Sequence, residues 1–367
     1  METILKDLQQ IKQNTYLHYF STLDKLFLKQ KPPVVFVVTT ATLIDLAKIF
    51  PSLDFPGMDD VDACVHIEGS TVYFRSIDSL HELPVHRLLP LSFLYDIHRS
   101  IFINRDDAYF ALRNKQICLS SRFHYPFSWT EIGEIGALLS RYHYQMPRDT
   151  VTMGEPVSIV PDDQLRTFLT LTVTGRNSVD GFSFLEKSGF VSLHWPELSK
   201  LSDIEQSKEY HPEGNVWDHT LAALEQRKTL DLSLALGLLL HDIGKTESYR
   251  YEGNQFYQHA QIGSFAAVQF LRRLGFSPEL VEDVRYLVQY HMLPAAVEKI
   301  PLYKTEHILS SPLFPALLEL FRCDVASSSR NLSNYYQACK FYRRFLKKQK
   351  NPFTKKGQYK QLIPKSV

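Results

Sequence analysis

The sequence predicts an α+β chain, with strands crowded into the first third and helices taking nearly everything after it. Three observations carry this. Short apolar or alternating runs bounded by Pro, Gly and Asp fall between residues 31 and 126. From about residue 127 the apolar spacing changes to three and four. The 367 residues exceed one typical domain, which favours two or three compact parts.

In order, residues 2–29 place Ile4, Leu8, Ile11, Tyr16, Phe20, Leu23 and Phe27 at helical spacing, which predicts one long N-terminal helix. Lys31-Pro32-Pro33 breaks that pattern, and VVFVV follows as a buried strand. ATLIDLAKIF returns to helical spacing. DACVHI and TVYFRSI flank Glu68-Gly69-Ser70 as a hairpin. A helix is expected near 90–98, then strands at SIFIN and AYFAL. WTEIGEIGALLSRY, DDQLRTFLTL and SVDGFSFLEKSG read as helices, the last closed by Gly189. Residues 216–349 read as helices joined by short loops. The resulting organisation is an N-terminal helix (1–30), an α/β head (31–126), a helical neck (127–205), an all-α domain (206–330) and a basic C-terminal helix and tail (331–367).

Composition narrows the class. Hydrophobic residues make up 44% of the chain and aromatics 13%, enough for sizeable cores. Cys64, Cys118, Cys323 and Cys339 lie far apart without a CxxC pair, which argues against a zinc ribbon or a disulfide framework. The polar start METILKDLQQIKQ has no signal-peptide core, and VVFVV and LALGLLL fall far short of the roughly 20 residues of a membrane span. A soluble cytoplasmic protein is expected. The net charge of +1 conceals an asymmetry: no acidic residue follows Asp324, whereas eleven Lys and Arg do. Up to Asp324 there are 30 basic against 40 acidic residues. Such a tail suits an anionic partner, and its interleaved aromatics, NYYQACKFYRRFLKKQKNPFTKKGQYK, would suit RNA; a solvated amphipathic helix explains the same pattern.

One constellation bears chemistry. His219 opens an apolar helix in VWDHTLAALE, and His241-Asp242 close SLALGLLL. His259 begins HAQIGSFAAVQFL, His291 ends VRYLVQYH, and Asp324 lies late in LELFRCDVASSS. A lone histidine of this kind is more often structural. An ordered series of His, His-Asp and Asp at the ends of rigid helices is what a divalent cation requires, since its N and O ligands must converge from several elements. One or two ions fit, with Asp242 as the bridging carboxylate. Mg, Mn, Ni, Co and Fe are not distinguished. Lys245 is placed either to act on a phosphate beside Asp242 or as a solvated helix-end cation.

The segment HPEGNVWDHTLAALE…LALGLLLHDIGK…HAQIG…LVQYHM…LFRCDVAS resembles the HD superfamily of metal-dependent phosphohydrolases. More narrowly, with DDQLRTFLTLTVTGRNSVDGFSFLEKSGFVSLHWPELSKL before it, the chain resembles the neck and HD domain of bacterial class II tRNA nucleotidyltransferases and poly(A) polymerases over about 160–330. The resemblance implies a nucleotidyltransferase-like mixed head, an all-α neck and an all-α HD domain. It also implies His219, His241, Asp242, His259, His291 and Asp324 as metal ligands, with Asp242 and Lys245 as catalytic groups.

The head departs from that family. Where the family has Gly-Gly after the first strand and an Arg-Asp soon after, this chain has Thr39-Thr40 and Leu43-Ile44. β-Branched residues do not readily adopt the positive φ that glycine permits. Asp60-Val61-Asp62 retains an Asp-x-Asp whose spacing would set both carboxylates on one strand face. DIHRSIFIN keeps Arg99, but Ser100-Ile101 replaces the next Arg-Asp. The expectation is therefore a metal-dependent phosphohydrolase acting on a nucleotide or an RNA-terminal phosphoester, with an inactive head. The alternatives are a divergent tRNA nucleotidyltransferase or poly(A) polymerase, and a non-catalytic RNA-binding protein. A nucleotide or tRNA-like RNA is the expected partner, and a membrane is not.

Overall fold

The computed structural model describes residues 1–28, 31–106, 108–120, 126–146, 159–205, 214–252, 258–328 and 331–350. The chain forms two compact units, Met1–Phe190 and Val191–Val367. An α+β architecture results, with all strands of the described residues in the first unit.

The first unit is built on a six-stranded sheet of order β3-β4-β2-β1-β5-β6. Its strands are β1 (Thr15–Leu17), β2 (Val34–Thr39), β3 (Ala63–Ile67), β4 (Ser70–Ser76), β5 (Leu94–Asp96) and β6 (Ile101–Ile103). β2 and β4 run parallel, with Val35 opposite Val72 and Val37 opposite Phe74. The other neighbours are antiparallel. All six residues of β2 are buried, as a central strand covered on both faces must be. Glu68 (φ 49°) and Gly69 (φ 81°) form the two-residue turn between β3 and β4, so the expected hairpin is present.

The single helix expected over 2–29 is instead α1 (Glu2–Leu8), then β1, then α2 (Phe20–Phe27). Ile4, Leu8 and Ile11 do share one buried face with the sheet residues Val35, Val37 and Phe74. Tyr16 continues the period by coincidence, because β1 is extended between β2 and β5. Two further expectations change. Residues 90–98 hold a short 3-10 turn, Leu89–Ser92, followed by β5. AYFAL belongs to α4 (Ala108–Asn114), which buries Ala108 and Ala111 one turn apart. As expected, ATLIDLAKIF yields α3 (Leu43–Ile49), closed at its start by a Thr42/Asp45 capping box.

Three helices complete this unit: α5 (Trp129–Tyr142), α6 (Asp162–Val173) and α7 (Ser178–Lys187). Gly189 (φ 80°) follows α7 in the left-handed conformation expected of a helix stop. Gly136 of α5 and Gly181 of α7 meet backbone to backbone; a Cβ on Gly181 would overlap the Gly136 carbonyl. The buried Asp24 and Arg141 pair at 2.8 Å, and the Tyr142 hydroxyl donates to the same Asp24 oxygen at 2.5 Å, tying α2 to α5.

In chain order the remaining helices are α8 (Phe190–His194), α9 (Pro196–Ser199), α10 (Val216–Glu225), α11 (Leu232–Leu240), α12 (Lys245–Glu252), α13 (His259–Arg273), α14 (Pro278–Tyr290), α15 (Leu293–Ala296), α16 (Leu302–Leu309), α17 (Phe314–Ser328) and α18 (Ser333–Lys350). α11 is the centre of the second unit: from Leu234 to Leu240 every residue is buried. Such an all-round apolar helix is a core helix, and α10, α14 and α17 pack around it. Gly237 lets Leu287 of α14 and Leu320 of α17 approach its backbone. The part of the basic tail beyond Lys350 lies outside the described residues. No helix among the described residues is long and apolar enough to cross a membrane.

Candidate metal centre

α11 ends at Leu240, and the turn beyond it carries His241 and Asp242 into a space bordered by four other helices. Asn215 caps α10 through the Asp218 N–H, which sets His219 in the first turn of that helix. His259 is the first residue of α13, and His291 caps the end of α14. Asp324 lies on α17. Helix ends are rigid yet leave side chains free to converge, and here six residues spread over more than a hundred positions meet.

Two candidate ligand sets share one carboxylate. His219, His241 and Asp242 form one, and Asp242, His259 and His291 the other; within each, the donor atoms lie within 4.8 Å of one another. Asp242 Oδ2 is 3.3 Å from His241 Nε2 and 3.8 Å from His219 Nε2. Asp242 Oδ1 is 3.4 Å from His259 Nε2 and 3.8 Å from His291 Nε2. Asp324 Oδ1 joins the first set, 3.1 Å from His219 Nε2. The Lys245 ammonium donates to Asp242 Oδ2 at 2.6 Å.

The ring orientations are fixed by backbone carbonyls. His241 Nδ1 lies 2.8 Å from the Leu238 carbonyl, and His291 Nδ1 lies 2.8 Å from the Val288 carbonyl. A carbonyl only accepts, so each Nδ1 carries the proton and each Nε2 of the neutral ring presents a lone pair inward. His241 Nε2 then faces His219 Nε2 at 3.4 Å, and His259 Nε2 faces His291 Nε2 at 3.1 Å. Two such nitrogen pairs around a shared carboxylate fit a divalent cation: ligands about 2.0–2.2 Å from an ion lie roughly 3–3.5 Å from each other.

Electrostatics keeps the donors in their metal-binding forms. Burial lowers the His241 pKa against the opposing pull of Asp242 and Asp324. Burial, reinforced by His241, lowers His291 to about 4, so its ring is neutral near pH 7. For Asp242 burial alone would favour the acid, but Lys245 and the histidines outweigh it and hold the carboxylate ionised. Asp324 is also held low, burial being outweighed chiefly by the hydrogen bond to His219.

Two contributors were not singled out from the sequence. A Cβ on Gly244 would overlap the His259 carbonyl and the Gly263 backbone, so Gly244 is what lets α12 and α13 close on the site. The glycine of HDIGK was the available signal, but a close approach is not readable from one sequence. Ser327 Oγ lies 3.3 Å from His219 Nδ1 and also donates to the Asp324 carbonyl, steadying two of the donors.

The Asp-x-Asp of the head does not form the arrangement its spacing suggested. Asp60 lies in a turn before β3 with φ 60°, and this left-handed residue breaks the extended alternation that would have aligned it with Asp62. Its carboxylate pairs with Arg75 at 2.8 Å, while Asp62 Oδ2 accepts the Ser76 N–H at 2.7 Å. Thr39 ends β2 as an ordinary buried strand residue, its hydroxyl 3.0 Å from that of Thr15 and donating to the Asn14 carbonyl. Leu43 and Ile44 open α3, with Ile44 exposed. Arg99 is exposed beside Asp96, Ser100 has φ 55°, and Ile101 begins β6.

Comparison with known proteins places this geometry. Residues 214–311 match the HD domain family. A multifunctional CCA protein of Alkalilimnicola ehrlichii is 31% identical over 149 residues, 40% of this chain and 35% of that protein. A CC-adding tRNA nucleotidyltransferase of Thermus thermophilus is 29% identical over 38% of this chain and 33% of its own length. The matched part therefore spans about a third of each relative. Among solved structures, the Bacillus stearothermophilus CCA-adding enzyme in complex with CTP has the same fold, with a TM-score of 0.51 and 14% identity over 93% of this chain and 80% of that one. These likenesses overturn the phosphohydrolase expectation: the similar proteins include CC-adding and A-adding tRNA nucleotidyltransferases. A His/Asp ligand set reports affinity for a cation and leaves the reaction open.

Proposed function

We propose that this chain is a divergent tRNA nucleotidyltransferase that acts at the 3′ end of tRNA or a tRNA-like RNA. The observation that carries the reading is the sequence likeness to tRNA nucleotidyltransferases over about two-fifths of the chain, with an HD domain at residues 214–311. The shared fold of the solved relative, extending over the head sheet, supports it.

His219, His241, Asp242 and Asp324 are assigned as ligands of one divalent ion, and Asp242, His259 and His291 as those of a second. A bound divalent ion would supply concentrated positive charge and Lewis acidity towards phosphate oxygens. The chain's own groups prepare the site. The Leu238 and Val288 carbonyls hold two imidazoles by Nδ1–H, Lys245 keeps the bridging carboxylate ionised, and α11 excludes water from beneath it. Lys245 is assigned as a positioning residue for Asp242.

In the head, Asp60 and Asp62 are the candidate carboxylates for transfer. The test is incorporation of labelled CTP or ATP into a tRNA transcript lacking its 3′-terminal CCA. Wild type is expected to incorporate label, and Asp62→Ala to lower the rate by about 100-fold or more, the scale of a lost group that stabilises transferring phosphate. Absence of incorporation by wild type with either nucleotide would overturn the transferase reading.

A second reading, a non-catalytic RNA-binding protein, is favoured by one observation. Thr39 fills the place of a phosphate-cradling glycine, and Asp60 and Asp62 are each engaged with a neighbour. Tight RNA binding without incorporation would support that reading.

A further inference from the structure

α18 follows the HD match and carries its own surface. Its apolar face turns inward: Ala338 and Phe345 are buried, and the Tyr342 ring packs on Phe314 at 4.6 Å. The opposite face is exposed and holds Tyr336, Lys340, Arg343, Arg344, Lys347 and Lys348. None of these five cations has an ion-pair partner among the described residues, and no acidic residue follows Asp324 in the sequence. Tyr336, Lys340, Arg343, Arg344 and Lys347 border one surface hollow of about 480 Å³.

We propose that this face of α18 docks the phosphate backbone of RNA. The proposal rests on the reading of the chain as an RNA-handling protein, but not on whether it transfers nucleotides. Length favours a polymer over a small anion: from Tyr336 to Lys347 the stripe runs about 16 Å along the helix axis. Spacing favours it too, since Lys340, Arg343 or Arg344, and Lys347 recur once per turn along one line. Tyr336, 64% exposed at one end of the line, offers a ring on which an unpaired base can stack. A membrane surface would need apolar side chains beside the cations to insert, and those of α18 are spent on the fold. Contacts of this kind position RNA without reading its sequence.

The experiment is fluorescence anisotropy of the full chain with a labelled tRNA transcript across a salt series, without nucleotide. The quadruple variant Lys340→Gln, Arg343→Gln, Arg344→Gln, Lys347→Gln changes only exposed residues and should keep the wild-type circular dichroism. It is expected to bind at least about tenfold more weakly, with the slope of log affinity against log salt smaller by about 3, the release expected from four phosphate contacts. Exchanging Lys for Arg and Arg for Lys at the same positions should restore both. Unchanged affinity and slope in the quadruple variant overturn the proposal. So does a defect confined to phosphatidylserine vesicles, or RNA binding that depends wholly on residues 351–367. Because binding is read without incorporation, failure here and failure of the transferase reading are distinguishable.

Discussion

Asp242 is the residue on which both histidine sets and the Lys245 ammonium converge. Its replacement therefore acts twice. Asp242→Asn removes the shared anionic ligand and leaves a buried ammonium without its counter-charge. Breaking one partner of a buried pair costs about 3–5 kcal/mol. Loss of bound metal by elemental analysis, with a lowered Tm, is the expected outcome. Lys245→Met separates the two effects: all six ligands remain, so bound metal should persist. A Lys245→Met protein devoid of metal would show that the ammonium is needed for more than orienting Asp242. At this scale the convergence was legible because metal binding demands particular residue types at rigid positions, and the candidate ligands His219, His241, Asp242, His259, His291 and Asp324 do lie together. Asp60 was not legible: its spacing to Asp62 says nothing of a φ of 60°, which takes Asp60 out of the extended backbone that the Asp-x-Asp reading assumed.

At the scale of elements, the centre depends on how closely α12 and α13 approach. Gly244 faces the His259 carbonyl and the Gly263 backbone, and backbone cannot swing aside as a flexible side chain does. Gly244→Ala is expected to destabilise the chain by about 1–3 kcal/mol, as overpacking does. It should also weaken metal affinity, since the movement that relieves the overlap carries His259 away from His291. Denaturant midpoints and metal titration of the variant check this; wild-type affinity with unchanged stability would refute it. Helices with one apolar face, such as α5 and α14, were readable from periodicity. The segment 2–29 was misread because α1, β1 and α2 happen to continue one helical period, while pairing with β2 and β5 decides that Thr15–Leu17 is extended. Pairing across the sheet is a tertiary fact, and local sequence does not contain it. AYFAL shows the converse, a β-rich composition taken into a helix by the burial of Ala108 and Ala111.

At the scale of the whole molecule, the chain divides into two compact units, and the candidate metal ligands all belong to the second. This division explains why the phosphohydrolase expectation failed while the ligand assignment could be made: the histidines speak for their own unit only. It also yields a test that needs no substrate. The first unit has its own buried supports, among them the Asp24–Arg141 pair and the sheet core of Val35, Val37 and Phe74. A cation held by residues 219–324 stabilises only the state in which those residues are assembled, because the unfolded chain has no preformed site. At a free concentration 100 times its Kd, one ion adds about 2.7 kcal/mol. For a unit of this size each kcal/mol corresponds to roughly 2–4 °C in Tm, so chelation should lower the transition by about 5–10 °C. Scanning calorimetry of the full chain is expected to show two transitions, of which chelator moves one and leaves the other in place. Asp242→Asn should abolish the chelator response, while Asp24→Asn should lower only the transition that chelator does not move. If chelation shifted both transitions equally, or neither, the assignment of a stabilising metal centre to the second unit would fall.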